Sequence, residues 1–132
     1  MPGYSGTPLP KKLGIKDGFN VRLIDAPSDV ISELKSSLEK CLRDAKGTLD
    51  FVILFTKSST ALRREFSTVA RALAPAGMIW VSWPNKSSGV PTDLNENIVR
   101  EIGLAAGLVD VKVCAVTDIW SGLKFVRRLK DR

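Results

Sequence analysis

The sequence contains no histidine at all. That absence excludes Ser-His and Cys-His nucleophilic catalysis and imidazole metal ligation together. Cysteine is nearly absent too: Cys41 and Cys114 are the only two, and they form no CxxC pair. Two thiolates are too few for a conventional zinc site, and buried free thiols are the simpler reading. No run approaches the ~20 apolar residues of a membrane span. The opening residues Met1-Pro2-Gly3-Tyr4-Ser5-Gly6-Thr7-Pro8 lack a basic region followed by an apolar stretch, so no secretory signal is expected and a cytoplasmic location is the default.

A further absence is local. Asn20-Val21-Arg22-Leu23-Ile24-Asp25 reads as a strand running into a helix, as in nucleotide-binding α/β folds. The turn between them is Ala26-Pro27-Ser28-Asp29 and holds no glycine. Dinucleotide and S-adenosylmethionine sites use glycine there so that backbone and ligand can approach closely.

What remains is ordinary for a globular domain. The 132 residues are 44% hydrophobic and 26% charged, enough for one domain with one sizeable core. The net charge of +6 sits at the ends. Residues 1–16 carry Lys11, Lys12 and Lys16 without an acid, and residues 120–132 carry five basic residues against Asp131. Basic ends can contact phosphate or simply aid solubility. No nucleic-acid recognition signature accompanies them, so nucleic-acid binding rests on charge alone.

The first 19 residues, rich in Gly, Pro and Ser, read as an irregular arm with a short helical turn near Pro10-Lys11-Lys12-Leu13; residues 20–132 read as one α/β domain. After the strand at 20–25, Val30, Ile31, Leu34, Leu38, Cys41, Leu42 and Ala45 recur at helical spacing and predict a helix over 29–45. Asp50 to Phe55 is an unbroken apolar run of the kind that fills a central parallel strand. A helix over 60–73, a strand over 78–83 and a helix after Asp93 follow. Asp93 and Glu96 stand at capping-box spacing, and Leu94, Ile98, Ile102 and Ala105 make its inner face. Val109 to Ala115 alternates as a strand, and the loop 117–122 leads to a last strand over 123–129. The pattern predicts a three-layer α/β/α fold, a mostly parallel five-stranded sheet ending in an antiparallel hairpin.

That order resembles the class I methyltransferase fold, a Rossmann-like architecture. Leu73-Ala74-Pro75-Ala76-Gly77-Met78-Ile79-Trp80-Val81 is similar to its helix-proline-glycine-strand passage. More specifically, four segments resemble a bacterial family catalogued as domain of unknown function 3052. They are Tyr4 to Leu9, Lys12 to Ile15, Trp83 to Val90, and Trp120 to Arg128. That resemblance supports the fold and supplies no reaction. Against a full methyltransferase, the few residues between Gly47 and Asp50 leave no room for the second and third strands, and no acid takes the ribose-binding role. The first strand would then lie at the sheet edge, to be covered by the arm or paired in a homodimer.

Ligands of open parallel sheets bind at the carboxyl ends of the strands. Asp25, Lys57-Ser58-Ser59 and Trp83 with Asn85-Lys86-Ser87-Ser88 are placed there by the pattern. Two Lys-Ser-Ser runs could converge into a site for a small anion or nucleotide, with Trp83 stacking on it. The competing reading is that the serines cap helices and the lysines are solvated. Trp120 and Tyr4 are further candidates, and Trp80 reads as core. The expectation is a binding or interaction protein without catalytic residues, metal or cofactor. A methyltransferase of reduced size and a nucleic-acid binder using the basic ends are its rivals.

Overall fold

A computed structural model describes residues 6–132. Tyr4 and the first residues of the arm lie outside the described residues. The elements are α1 (Leu9–Leu13), β1 (Asn20–Ile24), α2 (Ser28–Leu38), β2 (Leu42–Arg43), β3 (Leu49–Phe55), α3 (Ser59–Ala72), β4 (Leu73–Pro84), a 3-10 turn (Lys86–Ser88), α4 (Glu96–Ala105), β5 (Leu108–Ala115) and β6 (Trp120–Arg127), with a 3-10 turn at Leu129–Asp131. One sheet runs in the order β2-β1-β3-β4-β6-β5. β1 pairs in parallel with β2 and β3, and β3 with β4; β6 is antiparallel to β4 and β5. The mostly parallel sheet with its closing hairpin is therefore as expected, but it has six strands, not five.

The sixth strand corrects three expectations. The helical spacing through Cys41, Leu42 and Ala45 does not continue as helix, because α2 stops at Leu38. The next residues turn back along β1 instead: the Leu42 amide donates to Phe19 O at 2.8 Å and Asp44 N to Val21 O at 2.8 Å. An exposed strand edge is the stronger demand, and pairing satisfies it. β1 is thus not the edge strand; β2 covers its first half, and room for a second strand does exist. Asn20, only 5% exposed, pins this return. Its side chain donates to Ala45 O and Thr48 O and accepts from Ala45 N, at 2.8–3.0 Å.

Side-chain alternation along β3 and β4 builds two cores. Phe51, Ile53, Phe55 and Trp80 face α1 and α2, while Val52, Leu54, Ile79, Val81 and Trp83 face α3 and α4. Burial on both faces explains why those segments read as near-continuous apolar runs. α1 is tied down by Trp80, whose indole Nε1–H donates to Leu13 O at 2.8 Å. β4 begins directly after α3, earlier than its apolar run suggests, because Leu73 pairs with Leu49 before a bulge resets the register to Phe51 opposite Met78. Gly77 lies in that bulge, where a Cβ would come within 2.7 Å of Leu49 O. Arg127 reaches from β6 to the end of α3, donating to Ala70 O at 2.7 Å and Leu73 O at 2.8 Å.

The last helix and the hairpin also differ at their ends. α4 is capped by Asn95, whose side chain accepts from Ile98 N at 2.9 Å, and not by Asp93. Val99, Ile102 and Gly103 are buried along it, while Ala105 is exposed. β6 starts at Trp120, since the Thr117 hydroxyl accepts from both Ile119 N and Trp120 N and makes the turn tight.

Candidate functional site

Three loops leave the carboxyl ends of β1, β3 and β4. The first begins at Asp25, a non-glycine residue at φ 55°, and continues through Ala26 and Pro27 into α2. The loop after β3 carries Lys57, Ser58 and Ser59. The loop after β4 is the longest, from Asn85 to Asn95, and it shapes a cavity of about 660 Å³. Trp83, Asn85, Lys86, Asn95, Glu96 and Ser121 are among its lining residues.

The cavity wall is held by side chains of the loop itself. The Asn85 amide donates to Ile119 O at 2.8 Å, and its Nδ2 donates to Asp118 O at 2.9 Å, fastening the loop to the β5–β6 turn. The Ser87 hydroxyl donates to Asn85 Oδ1 at 3.0 Å and the Ser88 hydroxyl to Asn85 O at 2.7 Å. Neither serine lines the cavity; both shape the turn that presents Lys86 to it. Glu96 is met by Arg100 through Nη2, and Arg100 Nε donates to Asp110 at 2.9 Å. The hydrogen bonds that the guanidinium donates to Glu96 and Asp110, in that order, push its pKa further up.

The β3 loop is arranged differently. Ser58 caps α3, its hydroxyl accepting from Ala61 N at 3.2 Å. Ser59 gives both its amide, at 2.8 Å, and its hydroxyl, at 2.7 Å, to the Asp93 carboxylate. The chain's own anion thus occupies the positive end of α3. The Ser59 hydroxyl, then its amide, hold the Asp93 carboxyl below the usual carboxylate range. Thr92 Oγ1 donates to Lys57 O at 2.7 Å, so the two loops are laced together by Thr92 and Asp93. Lys57 is not part of the cavity wall.

Of the residues expected from the sequence, Trp83, Asn85 and Lys86 come together on one wall. Ser87 and Ser88 stand behind it, Lys57-Ser58-Ser59 border it through Asp93, and Asp25 is on the β1 loop apart from it. Trp120 packs edge-on against Phe55, with ring centroids 5.2 Å apart, rather than into the cavity. Asn95 and Ser121 were not singled out by the sequence, and Glu96 was read only as a capping-box partner of Asp93. Asn95 could have been found as an alternative cap two residues after Asp93; Ser121 could not, because it arrives by sheet pairing opposite Trp83. Among the described residues no group of three or more metal-ligating Cys, Asp or Glu side chains gathers, and no helix is long and apolar enough to cross a membrane.

The sequence matches the family described as "Protein of unknown function (DUF3052)" over residues 10–129, and the chain belongs to it. No curated protein matches the chain. Solved structures similar to it include several methyltransferases. Precorrin-6y C5,15-methyltransferase from Geobacter metallireducens GS-15 aligns with TM-score 0.62 and 14% identity, over 91% of this chain and 86% of that one. Magnesium protoporphyrin IX methyltransferase from Synechocystis PCC 6803, solved with bound SAM, aligns with TM-score 0.59 and 12% identity, over 91% and 74%. Ribosomal protein L11 methylase from Lactobacillus delbrueckii subsp. bulgaricus gives 0.59 and 10%, over 91% and 75%. At these identities the likeness is one of fold: a Rossmann-like, methyltransferase-like scaffold.

Proposed function

We propose that this member of the DUF3052 family is a non-catalytic binding protein on a methyltransferase-like scaffold. It takes a small anion or nucleotide in the cavity beside Trp83, Asn85 and Lys86. The observation that carries this reading is the cavity itself, which lies at the carboxyl ends of the strands, where such sheets hold ligands. Lys86 supplies positive charge, Asn95 and Ser121 supply polar partners, and Trp83 supplies an apolar wall. The two free cysteines suit a cytoplasmic setting.

The fold's relatives raise S-adenosylmethionine as a cofactor, and the residues here do not fit it. Asp25 takes the left-handed backbone conformation at which glycine is at home, and Ala26 and Pro27 follow it. Side chains therefore stand where the backbone would have to approach a ligand, and Pro27 brings no N–H. Asp44, the acid that follows β2, is held by Arg22 at 2.7 Å.

The test is a thermal-shift titration of the purified protein with nucleotides, phosphate, S-adenosylmethionine and S-adenosylhomocysteine. A ligand of the folded state at ~100 times its Kd adds about 2.7 kcal/mol and raises the midpoint by several degrees. A saturable rise with a nucleotide, lost in Lys86→Gln, supports the proposal. A rise with S-adenosylmethionine overturns it in favour of a reduced methyltransferase, and no rise with any of the ligands removes the pocket from consideration.

A further inference from the structure

Lys12 of the basic N-terminal stretch and Lys124 of the basic C-terminal one are linked through Lys112, on the side of the sheet covered by α1. Lys112 of β5 stands directly opposite Lys124 of β6. Their neighbours Val113 and Leu123 point to the other face, where Leu123 joins the α3–α4 core. On the α1 side, Lys112 Nζ donates to the backbone oxygen of Lys12 at 3.2 Å, and Lys12 Nζ crosses to Ala115 O at 2.7 Å. Helix and hairpin are thus clasped by two lysines, Lys112 bonding the backbone of α1 and Lys12 the backbone at the end of β5, with Lys124 opposite Lys112.

This arrangement is unfavourable on its own terms. Like charges directly opposed in a ladder repel. Asp110 is the only acid on either strand, and it turns to the far face to meet Arg100. Burial first, and the neighbouring Lys112 second, push the Lys124 ammonium below its ordinary pKa. A lysine on an edge strand also guards against unwanted pairing. That accounts for Lys112, since β5 is the edge, but not for Lys124, which lies on a strand paired on both sides. Lys112 uses one of its three N–H groups in the clasp, leaving donors that can turn to a ligand.

We propose that Lys12, Lys112 and Lys124 form a second binding site, for the phosphate group of a small phosphorylated ligand, on the sheet face opposite the Trp83 cavity. A doubly charged oxyanion seated there offsets the repulsion and receives charge-assisted hydrogen bonds. The aromatic residue beside Lys124 across the ladder is Trp80, which is fully buried and offers no surface for a base to stack on. The site therefore reads the phosphate and not a nucleobase.

Isothermal titration with pyrophosphate at fixed ionic strength tests it, on the unaltered chain and on Lys112→Gln, Lys124→Gln and Lys86→Gln. The site predicts that Lys112→Gln and Lys124→Gln each weaken binding about tenfold or more, the worth of one charged hydrogen bond. Lys124→Gln raises the thermal midpoint of the ligand-free protein, because it removes the repulsion without touching the clasp; a cooperative melt of Lys112→Gln, which also gives up the bond to Lys12 O, shows that it folds. Binding that Lys86→Gln abolishes and Lys124→Gln leaves intact overturns the site, as does no binding of pyrophosphate by the unaltered chain. Tighter, steeply salt-dependent binding of duplex DNA than of pyrophosphate also overturns it, in favour of a nucleic-acid surface. The cavity proposal fails separately, when nucleotide binding measured in the Lys124→Gln background survives the addition of Lys86→Gln.

Discussion

Two residues show how finely the interior is fitted. Ser82 is fully buried on β4, and its hydroxyl has no hydrogen-bond partner among the described residues. A buried unpaired hydroxyl costs stability. Ser82→Ala is therefore expected to stabilise the protein by about 1 kcal/mol, read as a higher urea midpoint at unchanged slope. Gly103 on α4 is the opposite case. A Cβ there would collide with the Phe125 ring, which itself packs edge-on against Phe66. Gly103→Ala should cost about 2–3 kcal/mol by overpacking, despite alanine's better helix propensity. A helix-propensity argument alone would give the wrong sign, so the same urea experiment decides between the two.

At the scale of elements, the Asp93–Ser59 pair is a latch between the β4–α4 loop and the start of α3. The folded pKa of Asp93 is lowered, so its contribution is present above the unfolded value and is lost as the pH falls through the folded one. Exchange of the Ser59 amide hydrogen should accelerate in acid beyond the intrinsic rate, and Asp93→Asn should remove that pH dependence. Asn20 plays a comparable part for β2. Asn20→Ala removes three hydrogen bonds from a buried site and should cost about 2–4 kcal/mol, with loss of exchange protection at Leu42 and Asp44. These two contacts also mark where the sequence stopped being legible. Strands and helices with a strong internal period, such as Asp50 to Phe55 and Leu62 to Leu73, can be read directly. The β2 return cannot, because Cys41, Leu42 and Ala45 keep helical spacing and only the needs of β1 pull them out of it. Likewise Trp83, Asn85 and Lys86 follow a strand end and are readable as neighbours. Asp93 reads as a helix cap because nothing local discloses Ser59, 34 residues away.

On the scale of the whole molecule, the sheet divides the chain into two cores that share only β3 and β4 as strands deeply buried on both faces. β6 closes both: Phe125 fills the α3–α4 side, while Lys124 and Trp120 finish the α1–α2 side. A chain cut after Thr117 loses β6, the antiparallel partner that lies along β4 from Met78 to Pro84. It should show no cooperative urea transition by circular dichroism, although all four helices remain in its sequence. The methyltransferase-like frame is thus retained as architecture, with the link between β4 and the edge strand β5 supplied by the last strand of the chain.

That order of assembly bears on synthesis. β5 leaves the ribosome before β6, yet β6 lies between it and the rest of the sheet. Until the final segment emerges, β4 presents an apolar edge and β5 has nothing beside it to join. The nascent chain therefore passes through an interval in which its longest strand is open to foreign pairing. Slowing translation before codon 120 should lengthen that interval and lower the soluble yield, without changing a single residue of the finished protein.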